Sequence, residues 1–263
     1  MSDTLRTATQ FVLILSIGLG VHNLYVCTKA AMKKPLKINY VQVVASVFQL
    51  MNQACLLAFF ILDSRKYFNG QCKFLQDIDF AIFFIFVALT IGVLIIRTTI
   101  LIDEKYQLYV KGFLFMALAV ALGAATHASM NRVVFVDNNG RCGAIWYKPS
   151  NTLQVCTNLF IYTCCFGIFI VPASKYYLSS IGHAKNSLRE VIFSVAFRIA
   201  VAMLGFLISA IFALTGVWGM AFEIQFSFEN YCAIVASTYA IKKDGTASDQ
   251  QNSTTKKSMV SKA

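Results

Sequence analysis

The sequence predicts an all-α fold: a seven-transmembrane helix bundle with its N-terminus outside and its C-terminus cytoplasmic. Three observations predict it. Of the 263 residues, 57% are hydrophobic and mean hydropathy is +0.64. Only 13% are charged, where a soluble domain carries about a quarter. The apolar residues also gather into runs separated by short loops, and each run exceeds the roughly 18 residues that suffice to cross a bilayer.

Read in order, the spans fall at 10–31, 39–62, 76–102, 108–129, 152–173, 189–215 and 217–240. Each is expected to be helical, because a backbone amide in lipid finds a partner only within its own helix. Met1 to Arg6 is short and polar and the first apolar run is long enough to span, so no cleavable signal is expected. The break at Thr215-Gly216-Val217 is tight. Reading 189–240 as one interrupted helix would give six spans, but 52 residues far exceeds what one crossing needs. The bundle thus occupies residues 1–241. The remainder, 242–263, is rich in Ser, Thr, Lys, Asp and Gln and reads as a disordered cytoplasmic tail. Its Asn252-Ser253-Thr254 matches a glycosylation sequon that would stay unmodified on that side.

Lys and Arg set the orientation. Fifteen fall on one side, in the groups Lys29–Lys37, Arg97–Lys111, Lys175–Arg189 and the tail; seven fall on the other, and Arg198 lies within a span. The richer side is taken as cytoplasmic. The net charge of +11 therefore belongs to loops at the lipid headgroups and not to a nucleic-acid surface. The lipid bilayer is the expected partner, with no nucleic acid, and the location an integral, multi-pass site in the plasma membrane. No internal repeat suggests a transporter built of two halves.

Six of the eight cysteines fall within spans, where a thiol behaves as a small apolar group. Cys72 and Cys142 fall in loops that the charge count places outside, in oxidising space. Two such cysteines either remain free thiols or form a disulfide, and the bridge is the expectation.

Charges within spans are costly and usually face the bundle interior. Asp79 and Arg97 are 18 residues apart, five whole turns, and so share one face of the third helix about 27 Å apart along its axis. For Arg97 the alternative is a side chain that snorkels to headgroups. Arg198 lies about 12 Å deeper than Glu190 on the sixth helix. Glu229 sits mid-way along the seventh, and the tight turn makes those helices antiparallel neighbours, so an intramembrane Arg198–Glu229 pair is expected. Glu223 lies nearer the outer mouth, lining a pocket or facing interfacial water. Asn23, Gln49, Asn52 and Gln53 are expected to make interhelical hydrogen bonds.

This constellation resembles a divergent rhodopsin-like G-protein-coupled receptor. The resemblance is one of positions over the first six helices. Cys72 and Cys142 match the family's disulfide between the top of helix 3 and the second outer loop. Arg97, 25 residues beyond Cys72, matches its arginine at the inner end of helix 3, and Glu190 its restraining acid on helix 6. Asp79 falls where amine-binding members carry an aspartate, seven residues after the cysteine. The chain departs from the pattern in Ile96-Arg97-Thr98, which lacks the preceding acid and following aromatic. Helix 6 has no Trp or Pro, and helix 7 no Asn-Pro pair. Retinal is excluded, because 217–240 contains no lysine for a Schiff base.

The resemblance implies a receptor that senses an extracellular small-molecule ligand and signals to the cytoplasm through a heterotrimeric G protein. Asp79 and Glu223 would be ligand-binding residues, Arg97 and Glu190 the signalling switch. The alternative is a small multi-span transporter or channel, using Arg198, Glu223 and Glu229 as an ion path. No cofactor, metal or catalytic group is expected. The histidines, His22, His127 and His183, lie on separate elements, and there is neither a paired-histidine zinc motif nor a Gly-x-Ser-x-Gly elbow.

Overall fold

A computed structural model describes residues 3–33, 35–61, 72–100, 102–136 and 142–179, with isolated helical positions between 197 and 211. Among the described residues are five long helices: α1 Asp3–Lys33, α2 Lys37–Ile61, α3 Cys72–Thr99, α4 Glu104–Met130 and α5 Lys148–Ser179. Between the last two lies a hairpin of strands β1 Val133–Val136 and β2 Cys142–Ile145. All five helices carry segments long and apolar enough to cross a membrane. The chain is therefore a multi-pass integral membrane protein. The seventh span, most of the sixth, the 62–71 linker and the tail lie outside the described residues.

The helices begin and end where short-range chemistry permits. The β-branched and aromatic run of α3 has no polar interruption between Asp79 and Thr90, and its mean hydropathy of 2.7 is the highest of the five. At the end of α4, Asn131 closes the helix: its backbone N–H and its Nδ2 both donate to the His127 carbonyl, at 3.2 and 2.9 Å. That satisfies a carbonyl left without an intrahelical partner. Pro149 sits in the first turn of α5, where a missing N–H costs little.

Successive helices pack as antiparallel neighbours. Ser46 on α2 reaches Cys27 on α1, and a Cβ at Gly20 would come within 2.7 Å of Leu50. The absence of a side chain at Gly20 is what lets α1 lie close against α2. Phe113 of α4 meets Phe160 of α5 edge-on at 6.0 Å. Buried alanines of α4, at 121, 124, 125 and 128, allow close packing of that helix. At the centre stands α3, which packs against α2, α4 and α5. Its most apolar window is 61% buried, against 22% for α1. The shared core joins Phe83, Phe86, Ile91 and Ile95 of α3 to Leu56, Leu114 and Ile161.

Large apolar side chains such as Phe11, Tyr25, Leu108 and Met116 point outward. In a soluble protein these would be an aggregation surface; here they are the face that lipid wets.

The hairpin is the element that the apolar pattern does not announce. Its strands pair antiparallel with Val133 opposite Ile145 and Val136 opposite Cys142. Strand β1 packs against α3. The start of α3 is also four residues earlier than the apolar run suggests, because Cys72 and its neighbours extend the helix beyond the hydrophobic stretch, so that Cys72 is its first residue and not a loop residue.

Candidate functional site

Along α2, the polar residues Asn39, Gln42, Ser46, Gln49 and Gln53 recur at intervals of three and four, which places them on one face of a helix. Asn52 adjoins that face. None of the six is more than 6% exposed. Asp79 and Arg97 of α3 are brought against this stripe, one near each end.

Near the hairpin end, Asn52 donates its Nδ2–H to Asp79 Oδ1 at 2.9 Å. Both residues are buried. Near the other end, Arg97 Nη2 donates to Gln42 Oε1 at 3.1 Å and to Asn39 Oδ1 at 3.4 Å. Between the two, Ser46 Oγ donates to the Gln42 carbonyl at 2.9 Å and lies 3.5 Å from Cys27 Sγ on α1. A carboxylate and a guanidinium in a membrane core need hydrogen-bond partners to hold their charge. Amides of α2 are among those partners here, and α3 is tethered to α2 at two levels. On its other side, Thr98 Oγ1 donates to the Leu94 carbonyl at 2.9 Å and lies 3.5 Å from Cys165 Sγ on α5.

A second polar cluster sits where the hairpin meets the bundle. Arg132 forms an ion pair with Asp77 and hydrogen-bonds Ser129 Oγ and the Ser129 carbonyl. Its guanidinium carbon lies 5.6 Å from the centre of the Trp146 ring, which in turn packs on Phe80 at 5.8 Å. Beside it, His127 Nδ1 is 2.8 Å from Ser150 Oγ and Nε2 is 3.3 Å from Asn131 Nδ2. An amide N–H can only donate, so Nε2 accepts and the proton sits on Nδ1, directed at Ser150. This joins the end of α4 to the start of α5.

Of the residues singled out in the sequence, Asp79 and Arg97 do share the face of α3 that meets α2. Cys72 is buried, and it is not among the free thiols Cys27, Cys55, Cys156, Cys164 and Cys165. Cys142 opens β2, with only its backbone described. Glu190, Arg198, Glu223 and Glu229 lie outside the described residues. The expectation of interhelical hydrogen bonding holds for Asn52. Sequence reasoning missed Asn39 and Gln42 as partners of Arg97, and Arg132 with Asp77 and Trp146. The first pair was signalled by the three-and-four spacing that runs through Gln49 and Gln53. The second had no signal, since it depends on a hairpin fold.

Among the described residues, no three His, Cys, Asp or Glu side chains converge as metal ligands would. No protein family matches the sequence, and no characterised protein matches it.

Proposed function

We propose that this chain is a seven-transmembrane, receptor-like protein that senses an extracellular small-molecule ligand and signals to the cytoplasm through a G protein. The observation that carries the reading is the Arg97 tether. A base at one end of the central helix is held by two neutral amides of α2, Asn39 and Gln42. A hydrogen bond from a guanidinium to a side-chain amide can be exchanged for one to another acceptor. In the proposed orientation that end is cytoplasmic, and Glu190 is the proposed alternative partner. Lys29, Lys33, Lys37, Lys105 and Lys111 cluster there, which supports the orientation.

The outer end would carry the ligand. Asp79 is the proposed counter-ion for a cationic group, assisted by Glu223, with Asn52 holding the carboxylate in place. The hairpin would sit above it. We further propose that Cys72 and Cys142 are bridged, which the burial of Cys72 and its absence from the free thiols support. Arg198 and Glu229 are proposed as a structural pair.

The test is nucleotide exchange on co-expressed G proteins. Releasing the tether with the double substitution Asn39→Leu and Gln42→Leu should raise basal exchange, and Arg97→Ala should abolish it. Absence of exchange above mock membranes for every variant would reject the receptor reading.

A second reading, a small transporter or channel, is favoured by one observation: the stripe from Asn39 to Gln53 is a nearly continuous polar line through much of the membrane thickness. Solute or ion flux in proteoliposomes, lost in Asn52→Leu, would select it.

A further inference from the structure

We infer that the α1–α2–α3 junction binds a single ordered water, held by Thr90. A cavity lies between the three helices, walled by Cys27 of α1, Gln42 and Ser46 of α2, and Phe86, Thr90 and Val93 of α3. Measured to the centre of a water-sized sphere, its volume is about 10 Å³, which suits one water.

Thr90 is 3% exposed, and its Oγ1 has no hydrogen-bond partner among the described residues. That sets it apart from six other threonines of the helices. Thr98, Thr99, Thr126, Thr152, Thr157 and Thr163 each donate to the carbonyl four residues back, at 2.7–2.9 Å. That local bond is the ordinary way a hydroxyl is satisfied in a membrane helix. Thr90 forgoes it and lines the cavity. A buried hydroxyl left unsatisfied is destabilising, and a water in the cavity removes that cost.

The walls supply what such a water needs. Thr90 Oγ1 can donate to it or accept from it, Ser46 Oγ keeps acceptor capacity, and Cys27 Sγ is a weak acceptor. That meets the two to four polar partners typical of buried water. A cation does not suit the site: no carboxylate lines it, and the Gln42 wall is bonded to the Arg97 guanidinium. The ligand is thus neutral water, and it extends the polar seam from Ser46 across to α3.

Cys27 makes a natural reporter. The whole protein in nanodiscs would be equilibrated with oxygen-18 water, exposed briefly to X-ray-generated hydroxyl radicals and mapped by mass spectrometry. The 1% exposed Cys27 should take up heavy oxygen, while Cys165, at 0% exposure and not on the cavity wall, should not. Thr90→Val should bring Cys27 down to the level of Cys165, and Thr90→Ser should preserve labelling. Equal silence of Cys27 and Cys165 in the unaltered protein would overturn the inference, even if Thr90→Val fails to fold. So would undiminished labelling in a folded Thr90→Val protein.

Discussion

Asn52 and Asp79 lie on different helices, 27 positions apart in sequence, yet the amide of one donates to the carboxylate of the other at 2.9 Å. With both side chains buried, this bond fixes the register of α2 against α3. Asn52→Leu should lower stability by about 1–3 kcal/mol, the usual cost of stranding a buried polar partner. Exchanging the two residues, Asn52→Asp with Asp79→Asn, should recover much of that loss. Thermal unfolding in nanodiscs measures both. An exchanged protein no more stable than Asn52→Leu would show that the pair is incidental.

At the other end of the seam, Gln42 approaches Arg97 more closely than Asn39 does, 3.1 against 3.4 Å. Gln42→Leu should therefore be the costlier change, by up to about 1.5–3 kcal/mol for a bond to a charged donor. Arg97→Lys should not preserve the arrangement, because a single ammonium does not reproduce the fixed fork of donors. Unfolding midpoints of the three variants give the ranking.

The hairpin is held by Arg132 more than by Asp77. The Arg132 side chain is 3% exposed and that of Asp77 53%, so solvent screens the ion pair, which contributes about 0–1 kcal/mol. Arg132 also bonds Ser129 and stacks on Trp146, the latter worth about 0.5–1 kcal/mol. Arg132→Ala should expose β1 and β2 to amide exchange and limited proteolysis. Asp77→Ala should change either only slightly, and less still at high salt.

Two glycines of α1 should behave oppositely. A Cβ at Gly18 meets nothing within 4 Å, so Gly18→Ala should be neutral or stabilising by up to about 1 kcal/mol. At Gly20 it would come within 2.7 Å of Leu50 Cδ2. Gly20→Ala is tolerable if Leu50 swings aside, but Gly20→Val should prise α1 from α2 and destabilise by about 1–3 kcal/mol. Comparative melting of the three proteins decides it.

How far the sequence foretold this arrangement follows from what each feature depends on. Five spans were legible because a helix in lipid declares itself by length and hydropathy alone. The shared face of Asp79 and Arg97 was legible because helical period is fixed. Which neighbour that face meets was not, since it depends on how α2 and α3 are rotated against each other. Arg97 could equally have snorkelled to headgroups; the placement of Asn39 and Gln42 against it decides otherwise. The hairpin was illegible for another reason. Strands of four residues, VVFV and CGAI, are too short to show a period, and their stability comes from docking on α3 through Arg132 and Trp146.

The stripe on α2 also bears on how the protein is made. Alone in the bilayer, α2 would turn Asn39, Gln42, Gln49, Asn52 and Gln53 toward lipid tails, and its mean hydropathy is 1.4 against 2.7 for α3. It is thus a segment that gains a favourable membrane position only once its successor has arrived. The insertion machinery should retain α2 until α3 emerges and release the two as one helical hairpin. The amides that tether the finished bundle thereby also set the order of its assembly.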